Sequence, residues 1–417
     1  MDKQNCSPTT NHKLAHSKSS KKIPIVILSD EENFYTEASA PSKHTTPSAS
    51  KLNRNAKSID SVSVKAKRNM SMCSEPDIED CGDFLRKKKP KADNNTLLHR
   101  FRSKRGLSVT DVSKTEWCER QMEFSLLNEE WKNNEGKPVA SGGGRRNNEA
   151  MKAGRNRHVE LEREVHTTVE LKVKSLEDEM AMKLLNFING VNQLYSDGLT
   201  RELPILSFAF AEGIWMVGKI DEVQMPRAKK DRNPILVETK TRFQDTVPSE
   251  AQRRNGRIQL MCYKYLWDNL VAHAHHDFPC KDLYDYFELN PRATLSKDLQ
   301  TACDESGFTA LILGDVVRHY QNTCKMLPPS NHMLVLRYEF QRDHSVLCEE
   351  KIAYDEGWVK SEIESCLELW LGQREASYVT EDEQWKCGHC KFFSDCEIYT
   401  DTNSESTESL ASDSSIG

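Results

Sequence analysis

Two β-prone runs stand between long stretches of helical periodicity, and that alternation limits what the chain can become. The first, ILSFAFAEGIWMVGKIDEVQM (residues 205–225), is rich in branched and aromatic residues and carries a Glu-Gly turn. The second, ILVETKTRF (235–243), follows a basic, Pro-containing link, PRAKKDRNP. Ahead of them, LSVTDVSKTEWCERQMEFSLL, AGRNRHVELEREVH and SLEDEMAMKLLNFINGVNQLYSDG read as helices, the last with Met180, Leu184, Leu185, Ile188 and Val191 at helical spacing. Between the first two of these lies NNEGKPVASGGGRRNNEA, too Gly-rich and polar for regular structure. After the β-prone runs, residues 250–271 and 309–326 return to helix, MLVLRYEF and LCEEKIAY read as a late strand pair, and EGWVKSEIESCLELWLGQRE as a closing amphipathic helix. Helices before, between and after a few strands predict an α/β fold, a small central mixed sheet flanked by helices.

That domain is expected over residues 97–397. Residues 1–96 are rich in Ser, Lys, Asn and Thr with few aromatics, and 398–417 belong to an acidic tail; neither can bury enough apolar surface to fold alone. The first tail holds two islands. IPIVILSDEENF (23–34), an apolar run followed by acids, suits strand addition to a partner's sheet edge and resembles a SUMO-interacting motif. RKKKPK (86–91) resembles a nuclear localisation signal, which makes the nucleus the expected compartment, with the cytoplasm or mitochondrion as alternatives. No run approaches the roughly 20 apolar residues a bilayer crossing needs, and MDKQNCSPTTNHKLAHSK has no apolar core of a secretory signal, so the 13 cysteines are expected free or metal-bound. The net charge of −6 does not advertise nucleic-acid binding, but the segment EIYTDTNSESTESLASDSSIG alone carries five acids and no Lys or Arg, so the distribution of charge matters more than its sum.

The chemistry concentrates on the two β-prone runs. Asp221 is expected at the end of one strand, and Glu238 and Lys240, two apart, share one face of the next. If the strands are neighbours, two carboxylates and a lysine meet, the set that metal-assisted phosphodiester cleavage needs. Carboxylates hold a hard cation such as Mg²⁺, and an ammonium offsets charge on the pentavalent transition state. Glu-x-Lys by itself equally describes a solvated strand edge with an ion pair. Two further pairs sharpen it: His158 and Glu162 lie four apart on a helix, and so do Gln259 and Tyr263. Glu162 and Glu222 are read as surface or supporting charge.

A second constellation lies in WKCGHCKFFSDC (385–396). A C-x-x-C pair is expected by chance about 0.4 times in a chain with this much cysteine, but requiring a third Cys six residues on lowers that to about 0.01. Three thiols here, Cys387, Cys390 and Cys396, want a fourth. Cys118, in Trp-Cys-Glu near the start of the ordered region, is the best candidate. Cys262, Cys303, Cys324, Cys348 and Cys366 sit in apolar helices or strands as buried small hydrophobes would. Four thiolates suit zinc or iron–sulfur alike, and His389 could substitute as a zinc ligand.

The order G-x-x-x-H, G-K-I-D, E-T-K, Q-x-x-x-Y resembles the PD-(D/E)XK nuclease superfamily in its RecB-like branch. Trp-Cys-Glu at 117–119 with the late cysteines resembles the exonuclease V family over roughly residues 106–397. Ile220 stands where the superfamily usually has Pro. The resemblance implies Asp221, Glu238 and the backbone carbonyl of Thr239 as ligands of Mg²⁺ (Mn²⁺ as the substitute), and His158 as a further ligand or a neighbour of a second metal. It also implies Lys240 as catalytic, and Gln259 and Tyr263 as bracing the site or touching DNA. It implies a [4Fe–4S] cluster on Cys118, Cys387, Cys390 and Cys396, tying the two ends of the domain. The implied activity is single-stranded DNA exonuclease in DNA repair, with a single-strand-binding protein as a partner by analogy. Arg242 and, in AQRRNGR, Arg253, Arg254 and Arg257 are expected DNA contacts, and the chain is expected to be monomeric. The competing expectation is a zinc-stabilised DNA-binding or scaffold protein whose carboxylates are structural.

Overall fold

A computed structural model describes residues 23–25, 65–66, 96–135, 145–208, 213–226, 232–276 and 278–396. In chain order its elements are β1 (Ile23–Ile25), β2 (Lys65–Ala66), a π-helical turn at Leu98–Arg102, β3 (Leu107–Ser108), α1 (Val109–Trp117), α2 (Glu119–Glu135) and α3 (Arg145–Val165). Next come β4 (His166–Thr168), β5 (Glu170–Leu171), α4 (Leu176–Asp197), β6 (Leu199–Ser207), β7 (Met216–Gln224), β8 (Ile235–Arg242) and α5 (Glu250–His275). The chain ends with α6 (Cys280–Tyr286), α7 (Lys297–Glu305), α8 (Leu313–Lys325), β9 (Met333–Phe340), β10 (Val346–Ala353), α9 (Glu356–Trp370) and 3₁₀ segments at Glu381–His389 and Phe393–Asp395.

A six-stranded sheet runs β10-β9-β8-β7, and β6 and the short β3 also pair with β7. Pairing is antiparallel except for β8 with β9 and β3 with β7, so the sheet is mixed, as the alternation predicts. Parallel β8 and β9 need a crossover, which α5 to α8 supply. Helices flank the sheet. Lys240 and Arg242 of β8 bond to Gln259 and Gln252 of α5, while Thr241, which alternates with them, meets Gly154 of α3.

Local sequence explains the main supports. Ser108 and Asp111 form a capping box that starts α1, and Asp111 also holds Arg102 through both carboxylate oxygens at 2.8 and 2.9 Å. Helix α4 begins with Ser175 accepting from the Asp178 amide, carries three acids in its first turn, and stops at Gly198 with φ 77°. Its apolar stripe is buried, as the spacing predicts, and Gly190 lies so close to the Leu203 side chain that a methyl there would collide, which seats α4 on β6.

Three elements differ from expectation. The strand expected to begin at 205 starts six residues earlier, because TRELP, charged and Pro-containing, still pairs: Pro204 is tolerated on a strand paired only with β7 among the described residues. Asp221 lies inside β7 rather than at its end. Helix α3 begins at Arg145, inside the stretch expected to be irregular. Of the expected SUMO-binding run, Ile23–Ile25 pairs in parallel with His166–Thr168, and residues 26–34 lie outside the described residues. RKKKPK and the acidic tail also lie outside them.

Candidate active site

Strands β7 and β8 pair over Glu222↔Val237, Val223↔Leu236 and Gln224↔Ile235, and then pairing stops. The register carried one residue further sets Asp221 opposite Glu238. On the other side of β7 the flanking pairs Arg201↔Glu222 and Leu203↔Ile220 set Glu202 opposite Asp221. Three acids, Glu202, Asp221 and Glu238, therefore form one rung across three strands. Two residues along, on the same face, Lys219 and Lys240 occupy the corresponding places on β7 and β8. Where the ladder is lost, the Thr239 amide, which would otherwise bond to β7, donates to Asp221 Oδ2 at 2.8 Å. The splay of two strands opens the sheet where the acids converge.

Helix α3 closes one side. Gly154 approaches Thr241 so closely that an added Cβ would sit 3.0 Å from its hydroxyl, and one turn later His158 reaches the rung: its Nδ1 lies 3.0 Å from Glu202 Oε1 and 3.6 Å from Asp221 Oδ1. That is the physical content of the G-x-x-x-H spacing. Helix α5 closes the other side. Lys240 Nζ donates to Glu238 Oε1 at 2.6 Å and to Gln259 Oε1 at 2.7 Å, and Gln259 Nε2 donates to the Tyr263 hydroxyl at 3.2 Å. Tyr263 is buried against Gly218, where a Cβ would come within 2.7 Å of its ring. It braces Gln259 from inside the fold.

The charges are frustrated. Burial, then the Asp221 charge, pushes the Glu238 carboxyl up to about 7, and burial also raises Asp221. The Asp221 carboxylate lifts His158 to about 9. Burial would raise Glu202 too, but Lys219, which pairs with it, and His158 bring it down to about 2. Glu162 also acts on Lys219 from α3 and is buried, so it belongs with this cluster rather than with the helix surface. Even with His158 protonated, four carboxylates (Glu162, Glu202, Asp221, Glu238) face only three cations (His158, Lys219, Lys240). Glu238 Oε2 is buried with no hydrogen-bond partner among the described residues. A divalent cation answers both facts, and the donor atoms of His158, Glu202 and Asp221 all lie within 4.8 Å of one another. These residues fit the cation their pattern implies. Glu222, by contrast, is taken up by Arg201 at 2.8 Å and Arg337 at 3.2 Å, a supporting role as read from sequence.

Sequence reading missed Glu202 and Lys219. Lys219 sat inside the G-K-I-D motif without a role. Glu202 was hidden because TRELP does not alternate like a strand; its backbone, at φ 50°, is in the left-handed region that non-glycine residues seldom adopt, as are Glu288 and His344 away from the site.

The expected arginines divide. Arg253 pairs with Glu250 at 2.6 Å, Arg257 with Glu250 at 2.5 Å and with Glu350, and Arg254 with Glu383 at 2.6 Å and with Glu116. Arg242 has no carboxylate partner among the described residues; it donates to Gln252 at 3.0 Å. Next to it Phe243 is 70% exposed.

The structure brings the four expected cysteines to the lining of one pocket. Cys118, Cys387, Cys390 and Cys396 line one partly open pocket, about 420 Å³ with the solvent at its mouth included, with Trp117, Phe124, Tyr378, Phe392 and Phe393 among its walls. None is in a disulfide among the described residues. Cys118 is not within a helix: it is the extended residue between α1 and α2, and its Sγ accepts from the Gln121 amide at 3.4 Å, as a cap of α2 would. Burial and the neighbouring thiols Cys390, Cys387 and Cys396 hold its thiol up, and four thiols lining one pocket are a donor set suited to a metal centre. His389 is not among the lining residues; its ring lies 6.4 Å from that of Trp385. Cys262, Cys303, Cys324, Cys348 and Cys366 are buried elsewhere.

A family model described as "Exonuclease V - a 5' deoxyribonuclease" matches residues 96–234, 224–308 and 302–399. Exonuclease V of Danio rerio is 28% identical over 315 residues, 75% of each chain. The crystal structure of SSO0001 aligns with a TM-score of 0.32 at 13% identity, over 70% of this chain and 86% of that one, too slight a likeness to inform the site.

Proposed function

The chain belongs to the exonuclease V family and is accordingly a DNA exonuclease, and on that premise we propose that it hydrolyses single-stranded DNA from the 5′ end using Mg²⁺ or Mn²⁺. The observation that supports the chemistry is the acid rung with its surplus of negative charge beside Lys240. In this reading the sheet, with Asp221 and Glu-Thr-Lys at its splayed edge, is a PD-(D/E)XK core. Asp221, Glu238 and the Thr239 carbonyl would hold the cation, with His158 and Glu202 as neighbouring donors. When bound, the cation would polarise the phosphate and lower the pKa of a water.

The chain's own groups do the remaining work. Lys240, fixed between Glu238 and Gln259, keeps an ammonium where negative charge grows on the phosphate as the water oxygen attacks and the P–O bond to the leaving group breaks. Tyr263 holds Gln259, and so Lys240, in place. The Thr239 amide orients Asp221. Arg242 would take a phosphate, and Phe243 would stack on a base, the pairing that single strands offer and duplexes hide. Arg253, Arg254 and Arg257 would have to leave ion pairs to do the same.

Cys118, Cys387, Cys390 and Cys396 would hold a [4Fe–4S] cluster; the all-thiol donor set and aromatic walls fit it. The role in nuclear DNA repair, the single-strand-binding partner and SUMO recognition through residues 23–34 belong to the same proposal. So do the tails flanking a domain over 97–397 and the monomeric state. The alternative, a zinc-stabilised DNA-binding or scaffold protein, is separated by Asp221→Ala, Glu238→Ala and Lys240→Ala. Loss of labelled single-strand degradation in all three, with 5′-blocked substrate resistant and 3′-blocked substrate cut, supports the proposal. Degradation that survives all three sinks it.

A further inference from the structure

Arg254 stands on α5, five residues before Gln259, and its guanidinium reaches two acids that flank the cysteine cavity from opposite ends of the domain. One is Glu116, two residues before Cys118. The other is Glu383, four residues before Cys387, at 2.6 Å. The neighbouring Asn255 adds bonds to the Ser113 carbonyl at 2.6 Å and to Glu116 at 3.4 Å. The second acid is shared: Lys386 donates to Glu383 at 2.5 Å and to the Trp117 carbonyl at 3.1 Å, and its ammonium lies 4.5 Å from the centre of the Trp117 ring. Trp117 in turn meets Trp385 edge-on at 5.8 Å. Both walls of the cysteine cavity are thus fastened to one turn of the helix that carries Gln259. Glu116 and Glu383 are largely screened from solvent, with side-chain exposures of 5% and 16%, while Arg254 itself is 37% exposed, so the ties are half-screened and rest on one guanidinium bridging two acids.

We propose that Arg254 is a positioning residue that couples the four-cysteine centre to the cleavage site, by locking the two cysteine-bearing segments onto α5 and thereby setting Gln259 under Lys240. This rests on the nuclease reading for its effect on turnover, but not for the mechanical link itself. A helix is stiff along its axis, so an anchor five residues away governs where Gln259 sits, and a displacement of about 1 Å is enough to cost a reaction dearly. When the cysteine centre is lost, the segment carrying Glu383 loses its fixed end, Arg254 loses one acid, and α5 loosens. An arginine so engaged is not a phosphate contact.

The test uses the full chain purified without air, with the bound metal and visible absorbance recorded. Hydrogen exchange of residues 250–263 is followed before and after the cysteine centre is stripped, and in Arg254→Met, Arg254→Lys and Glu383→Gln with the centre intact. Stripping the wild type is expected to speed exchange of that segment about tenfold. Arg254→Met is expected to reproduce this with metal retained, and to lower kcat about tenfold with KM for single-stranded DNA unchanged. Arg254→Lys recovers part of both. Glu383→Gln, which takes the charge from one tie and leaves every basic residue in place, moves exchange the same way and stands in if Arg254→Met does not fold. Unchanged exchange in the folded variants overturns the proposal. So does a salt slope of DNA binding reduced by about one with kcat preserved, since that marks a phosphate contact. If Lys240→Ala cuts as well as wild type, the nuclease reading fails, while the exchange data still decide the coupling.

Discussion

The Thr239 amide donates to Asp221 Oδ2 at 2.8 Å across the point where β7 and β8 cease to pair. A side chain has replaced a strand as the partner of a buried amide, and the carboxylate is thereby aimed at the gap. Asp221→Asn keeps an acceptor for that amide but removes the charge. It is expected to fold with an unchanged or higher Tm and to lose about 10³-fold or more in cleavage of labelled single-stranded DNA. A variant that still cuts at near wild-type rate would remove Asp221 from the site.

Metal-free stability is expected to fall as pH rises. Glu238, lifted from 4.5 to about 7, binds its proton more tightly folded than unfolded; the stability this adds is complete below 4.5 and lost as pH climbs through about 7. His158, lifted from 6.5 to about 9, acts in the same direction at higher pH. Mg²⁺ should reverse the loss by replacing protons, so its effect on Tm grows from about pH 6 to about pH 8. Glu238→Gln should flatten the lower part of the curve. A metal-free Tm that rises over this range contradicts the charge surplus.

Gly218→Ala places a methyl 2.7 Å from the Tyr263 ring and 3.0 Å from Val109. Both are buried, so the strand or the ring must move, at a cost of about 1–3 kcal/mol. Because Tyr263 braces Gln259, cleavage should drop with stability. Chemical denaturation and single-turnover rates report the two effects separately, and a fully active, fully stable variant would deny Tyr263 its bracing role.

Phe243→Ala should weaken single-strand binding by about 1–3 kcal/mol while leaving kcat intact, and Phe243→Trp should restore it, as stacking predicts. Arg242→Gln should reduce the slope of log affinity against log salt by about one. Fluorescence anisotropy with a labelled oligonucleotide measures both; equal affinity for Phe243→Ala and wild type rejects the stacking platform.

Any one of Cys118→Ser, Cys387→Ser, Cys390→Ser or Cys396→Ser should bleach the anaerobically purified protein and lower its Tm, since each removes a wall of the shared cavity. A colourless wild type with stoichiometric zinc would replace iron–sulfur by zinc at the same four thiols.

Much of this was legible in one dimension. The helix and strand alternation is a matter of periodicity, so α4, α5, α9 and the pair β9–β10 could be read directly. His158, Asp221, Glu238, Lys240, Gln259 and Tyr263 carry spacings that local geometry demands: i to i+4 on a helix, i to i+2 on a strand. The late thiols announced themselves by number and interval, and Cys118 by its place in Trp-Cys-Glu near the start of the ordered region, away from the cysteines of apolar elements. What the sequence could not determine is whatever depends on the register between strands. Glu202 lies in a charged, Pro-containing run, and only pairing with β7 sets it beside Asp221. Lys219 acquires a partner for the same reason. Arg254 reads as a basic DNA contact until folding sets Glu116 and Glu383, 267 residues apart in the chain, on either side of it. Spacing along a single element is local and therefore written in the chain, whereas cross-strand neighbours and ion pairs between distant segments exist only once the sheet has chosen its register and the helices have packed on it.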